Sequence, residues 1–203
     1  MARTKSENFE DIRSAILNAA AKLFATKGFR NTNIIDIGEA CQSSKSRMYH
    51  YFSSKELILE EMLIEHVNGL LVLAEKITKS DVDPRDLFSQ YIYTHLKHYE
   101  EGRYRHTVLI EDLGYLGEDA KKKVLNAQST LMGFLSGLLQ RVNPEKFSEK
   151  HLASAYAMLI YGMLNWTYTW YKPSGKLSLQ MLADEAADFC LNGLSLPNQT
   201  KRK

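Results

Sequence analysis

Between Ile34 and Leu57 the chain holds two short apolar-periodic segments, a three-residue polar break between them, and the start of a third segment. Few folds accommodate so many interruptions in so short a stretch. Ile34, Ile37 and Cys41 fall on one face at helical spacing, Thr32 or Asn33 is suited to cap the start, and Gln42-Ser43-Ser44 stops the helix. A second helix begins at once. Ser44 is its candidate N-cap and Met48, Tyr51 and Phe52 its apolar stripe, which leaves Lys45, Ser46, Tyr49 and His50 facing away from that stripe. The layout is that of a helix-turn-helix. Its outward face suits a polyanion, because Lys45 adds its charge to unpaired backbone N–H groups at the helix start. Arg47 adds the forked donors that read a guanine edge in a major groove.

Gly28-Phe29, Thr32, Ile37, Ala40, the string Tyr49-His50-Tyr51-Phe52 and then Ser54-Lys55-Glu56-Leu57 recur at fixed offsets. With them the first quarter of the chain resembles the N-terminal DNA-binding domain of the tetracycline-repressor (TetR) family. The resemblance implies a double-stranded DNA operator as partner, contacted by Thr32, Ser44, Lys45, Ser46, Arg47, Tyr49, His50 and Lys55. One departure lies in the turn. Where the family usually has Ala-Gly-Val-Ser, this chain has Cys41-Gln42-Ser43-Ser44, so Gln42 is expected to take the left-handed conformation that glycine adopts freely. Ser46 and Arg47 replace the family's later Gly and Thr, a change expected to alter sequence preference.

Charge is distributed in keeping with this. Residues 1–55 carry nine Lys and Arg against five Asp and Glu, whereas residues 56–203 carry seventeen against nineteen, so the basic excess lies with the helix-turn-helix. Cys41 and Cys190 sit in apolar helical patterns in different regions, which predicts two buried thiols in a reducing cytosol. The start, MARTKSENFE, has no apolar signal region, and a cytoplasmic location is expected.

Four prolines in 203 residues, and no alternating pattern of any length, predict an all-α protein. Helices are expected over about 9–26, through the helix-turn-helix, and over 53–79, 84–99, 104–113, 117–142, 148–171 and 178–194. Gly28 should end the first as a C′ residue, and Ser53-x-x-Glu56 reads as a capping box opening the long 53–79 helix. The division expected is 1–52 for the DNA-binding domain, 53–196 for a larger helical ligand-binding and dimerisation domain, and 197–203 for a disordered tail.

Leu152 to Tyr171 runs for twenty residues without a charge. That length spans a bilayer. Ser154, Asn165, Thr167, Thr169 and the tyrosines lower its apolar content too far for a single span, so no membrane insertion is expected. A helix apolar all round must instead be covered on several sides, here by its own domain and by a second copy of the chain. The family builds its dimer interface from its last two long helices, which implies a homodimer.

The run Gly162-Met163-Leu164-Asn165-Trp166-Thr167-Tyr168-Thr169-Trp170-Tyr171, followed by Lys172-Pro173, Gly175 and Leu177, resembles the C-terminal segment of the TetR-type subgroup that senses acyl-coenzyme A thioesters. It implies a small-molecule effector held by Tyr91, Phe134, Leu138, Tyr161, Asn165, Trp166 and Tyr168. Arg103 and Arg105 would meet the coenzyme's phosphates, and His106 and Arg141 are further cations in reach. The reading is of a regulator, a repressor in most of the family, with no enzymatic activity, no cofactor and no metal. A competing reading is a soluble helical metal-binding or hydrolytic protein built on His95-x-x-His98, with Glu111-Asp112 near in space. Against it, no His-Glu-x-x-His, phosphate-binding glycine loop or Gly-x-Ser-x-Gly elbow is present.

Overall fold

The computed structural model describes residues 5–195, with side chains over 9–193. Among the described residues the chain is helical, without strands: α1 (Lys5–Lys27), α2 (Ile34–Ala40), α3 (Lys45–Tyr51), α4 (Lys55–Thr78), α5 (Pro84–Glu101), α6 (Arg103–Glu111), a 3-10 turn (Leu113–Tyr115), α7 (Glu118–Val142), α8 (Lys150–Asn165), α9 (Thr167–Trp170) and α10 (Leu179–Ser195). The expected tail 197–203 lies outside the described residues. None of the described helices is long and apolar enough to cross a membrane.

The boundaries follow local chemistry. Gly28 ends α1 at φ +84°, its N–H bonded to the Phe24 carbonyl at 2.9 Å. Asp83 caps α5 by accepting from the Arg85 N–H at 2.8 Å, with Pro84 at the first helical position, where its missing N–H costs nothing. At α4 the expected cap is displaced by one residue. Ser54, rather than Ser53, accepts from the Leu57 N–H, because the helix starts at Lys55 and the capping side chain must stand immediately before it. The single helix expected over 148–171 is broken at Trp166. Thr167 donates its hydroxyl to the Leu164 carbonyl and Thr169 to that of Trp166, and these bonds satisfy carbonyls at the break while α9 restarts.

The described residues form two compact units, one of 5–66 with 104–124, the other of 67–103 with 125–195. In the first, Ile16, Leu17, Ala20 and Phe24 of α1, Ile37 of α2, Met48 of α3 and Ile58, Leu59, Met62 and Leu63 of α4 are buried. Arg13 ties α1 to α4 through Glu61 and, at 2.6 Å, Glu65. Residues 104–124 belong here too. The Tyr115 ring stacks on Phe29 at 5.1 Å, and Arg105 donates to the Asn18 amide oxygen at 2.9 Å. In the second unit, α5 packs on α10 and α8, with Leu87, Phe88, Tyr91, Ile92, Leu135, Leu138, Leu139 and Ala157 buried.

Candidate nucleic-acid interface and effector site

Asn33 opens α2 with a reciprocal cap. Its side-chain oxygen accepts from Ile35 and Asp36 N–H at 2.8 and 3.0 Å, while its own N–H donates to the Asp36 carboxylate at 3.0 Å. The turn that follows is tight: Cys41, Gln42 and Ser43 N–H groups bond back to the Ile37, Glu39 and Gly38 carbonyls. Closing it requires φ +55° at Gln42, the one non-glycine residue with positive φ among those described. Ser44 then caps α3, accepting from the Arg47 N–H at 3.2 Å. Met48 is the buried anchor of α3, with its sulfur 4.0 Å from the Cys41 thiol. Cys41 is half-buried, not fully buried as the sequence pattern predicts, because it sits at the C-cap of α2, where the helix face runs out into the turn.

With Met48 inward, Lys45, Ser46, Arg47, Tyr49 and His50 are exposed together with Ser44. The neighbouring aromatic surface is ordered. Phe9 stacks on Tyr51 at 4.5 Å and meets His50 edge-on at 6.5 Å. Two residues expected on DNA are also engaged within the protein. Thr32 is buried and its hydroxyl donates to the Gly28 carbonyl at 3.0 Å. Lys55 donates to the carbonyls of Phe29 and Thr32, each at 2.8 Å, and lies 4.4 Å from the Phe29 ring centroid. A cation at a helix start opposes the helix dipole, and these carbonyls offset that. Sequence spacing cannot reveal this, because the carbonyls lie more than twenty residues upstream.

In the second unit Tyr91, Leu138 and Tyr161 are buried and Phe134 half-buried. The polar atoms of two of them converge with a histidine of α5. The Tyr91 and Tyr161 hydroxyls are 2.7 Å apart, Tyr161 is 3.0 Å from His95 Nε2, and His95 Nδ1 is 2.8 Å from the Tyr91 carbonyl. Burial pushes both phenols above their usual range, so they stay protonated. His95 is thus held by two tyrosines, and the metal reading of His95-x-x-His98 finds no group of three or more suitable side chains among the described residues. Asn165 and Tyr168 are half-buried beside the helix break, where Arg103 approaches the Tyr168 carbonyl at 3.5 Å. Trp166 departs from expectation. It is 63% exposed rather than turned in with Tyr91 and Tyr161, because it occupies the break itself. Arg105 belongs to the first unit, bonded to Asn18 and 3.9 Å from Glu65. His106 is buried there as well, and Arg141 donates to the Thr78 carbonyl at 3.1 Å.

One face of α8 and α10 stays uncovered in the single chain. Leu159 is 71% and Phe189 74% exposed, and with Tyr156, Ile160, Met163 and Cys190 they border an apolar groove of about 680 Å³.

Comparison with known proteins agrees with this arrangement. Residues 16–62 match the model for bacterial regulatory proteins of the tetR family, and residues 81–194 match that for the tetracyclin repressor-like C-terminal domain. A TetR-family transcriptional regulator from Bordetella parapertussis 12822 is 38% identical, with a TM-score of 0.86 over 93% of this chain and 99% of that one. The HTH-type transcriptional repressor KstR2 of Rhodococcus jostii (strain RHA1) is 23% identical over 92% of each chain. AibR, solved in complex with isovaleryl coenzyme A and operator DNA, shares the fold at 20% identity, with a TM-score of 0.70 over 88% of this chain and 97% of that one.

Proposed function

The chain belongs to the TetR family of bacterial transcriptional regulators, and on that premise we propose that it is a cytoplasmic homodimeric repressor that binds a palindromic operator and is released by a small hydrophobic effector. The observation that carries the DNA-binding half is the face of α3. Lys45, Ser46, Arg47, Tyr49 and His50 are exposed on it while Met48 pins the opposite side, the division a helix needs to enter a major groove. Residues 1–52 carry the operator contacts in this reading, with Lys45, Tyr49 and His50 on phosphates and Arg47 at a base edge. Thr32 and Lys55 shape the loop before α2. Residues 53–196 carry dimerisation and effector binding.

An acyl-coenzyme A thioester is the effector class to test first. The C-terminal run through Trp166 and Tyr168 resembles thioester sensors, and a protein of the same fold was solved with isovaleryl coenzyme A. Selection from a random duplex library at moderate salt, followed by titration of acyl-coenzyme A esters into the selected complex, tests both halves. Enrichment of a palindrome, and its release by thioesters but not by free coenzyme A, is the expected result. No preference over random duplex would overturn the operator reading, and release only by unrelated hydrophobic molecules would overturn the thioester assignment.

A further inference from the structure

His50 stands in the last turn of α3, on the exposed side that the buried Met48 leaves to solvent. Its ring contacts come from two elements. From α1 the Phe9 ring meets the imidazole at 84° with centroids 6.5 Å apart, and on α3 itself Tyr51 meets it at 90° and 5.5 Å. Phe9 and Tyr51 are in turn stacked on each other at 4.5 Å, so the imidazole leans on an ordered aromatic pair. The charged groups around it are unevenly committed. Lys45 and Arg47 precede His50 on α3, and Arg47, three residues back, shares its side of the helix. On α1, Glu10 is 3.6 Å from Arg13, which is itself bound to Glu61 and Glu65 of α4. Asp11 is two residues from Phe9, a spacing that does not put both on one side of a helix. Lys55 at the start of α4 is turned to the loop carbonyls. Among the described residues no carboxylate forms an ion pair with His50. The anion it lacks within the protein is what a DNA backbone supplies.

We propose that His50 makes operator binding proton-linked: each protomer takes up one proton from solvent at this imidazole as a DNA phosphate docks against it, and the operator is held more tightly as pH falls. This rests on the operator reading above. Lysine and arginine keep their charge and tyrosine its proton across the neutral range, so of the side-chain types exposed on α3 only imidazole changes charge between pH 5 and 8. A neutral imidazole donates one hydrogen bond to a phosphate, whereas the imidazolium adds a full charge and makes that bond charge-assisted. An anion at hydrogen-bond range favours the charged form by about tenfold or more. The complex then keeps the proton to higher pH than the free dimer does. Affinity is therefore full below the titration of the free protein and is lost as pH rises through that of the complex. Two-fold symmetry doubles the effect, because both recognition helices carry the imidazole.

Affinities for the selected palindrome and for a random duplex, measured at fixed salt from pH 6.0 to 8.0, test this with the full-length protein. Wild type should weaken about tenfold or more across the range on both duplexes, since a phosphate contact carries no sequence information. Calorimetry at pH 7.0 in buffers of different ionisation enthalpy should register about one proton taken up per dimer. His50→Gln keeps a donor that does not titrate, and His50→Lys keeps a charge throughout. Each should change by less than about threefold between the two ends, with His50→Lys the tighter binder at pH 8.0. The position is exposed, and circular dichroism verifies that both variants fold. A wild-type affinity that stays flat with pH while the palindrome remains preferred would overturn the proposal and leave the operator reading standing. So would a pH dependence that survives in His50→Gln, since another group would then carry the proton. No preference for the palindrome over random duplex at any pH would overturn the operator reading, and the proposal with it.

Discussion

A Cβ placed on Gly38 would lie 3.0 Å from both the Met48 Cγ and the Ser43 carbonyl oxygen, so the closest crossing of α2 and α3 is set by the absence of one methyl group. The Ser43 carbonyl cannot withdraw freely, because the Ser43 N–H is itself bonded to the Gly38 carbonyl at 2.8 Å. Gly38→Ala gains helix propensity but overpacks this contact. The expected balance is a loss of about 1–2 kcal/mol, read from the denaturant midpoint, together with weaker operator binding as α3 is pushed off its seat. An unchanged midpoint would mean that Met48 absorbs the methyl without cost.

Gln42 gives the opposite sign. Its φ of +55° costs an L-residue about 1–2 kcal/mol, while glycine there adds chain entropy to the unfolded state. Gln42→Gly should therefore raise stability by about 0.5–1 kcal/mol, and Gln42→Val should lower it. The ordering of the three midpoints is the measurement, and a valine variant as stable as wild type would contradict it.

The exposed face of α3 separates positioning from reading. Arg47→Ala is expected to cost about 1–3 kcal/mol on the selected operator and to relax preference at one base pair per half-site. Lys45→Ala should weaken all duplexes alike and lower the salt slope of log K by about one. Equal losses on specific and random DNA for Arg47→Ala would reassign it to the backbone.

Gly162 offers a clean probe of assembly, since beyond its own helical turn nothing among the described residues lies within 4 Å of a Cβ built there. Gly162→Arg should leave the protomer's helical signal intact, yet place an unpaired charge in an isologous apolar interface and give monomers with lost operator binding. Light scattering at micromolar concentration decides. A dimeric Gly162→Arg would move the interface elsewhere.

The two thiols should differ in reactivity. Burial pushes the Cys190 thiol up to about 11, so at pH 8 only about one molecule in a thousand carries the thiolate there, whereas Cys41 is half-buried at the surface turn. Titration of the native protein with a disulfide reagent at pH 8 should modify Cys41 first, and Cys41→Ser should remove the early phase. Rapid modification of Cys190 would show its side of α10 opening in solution.

The sequence determined what depends on neighbours within a turn or two. The spacing of Ile37, Cys41, Met48 and Phe52 placed α2 and α3 and divided α3 into a buried and an exposed face, while Gly28, Asn33 and Ser44 marked helix ends by their own backbone and capping chemistry. The left-handed Gln42 followed from a short turn lacking its glycine. Only the tertiary structure decided which side chains meet across long separations. Lys55 reads locally as a free cation, and three-dimensional folding commits it to carbonyls of the α1–α2 loop. Arg105 lies two residues from Arg103 yet belongs to the other compact unit, because the chain passes from one unit to the other between Arg103 and Tyr104. In the sequence Tyr91 and Tyr161 read as effector-holding aromatics and His95 as half of a candidate metal pair. That their polar atoms converge depends on how α5 and α8 are rotated against each other, and helical periodicity fixes only which residues share a face.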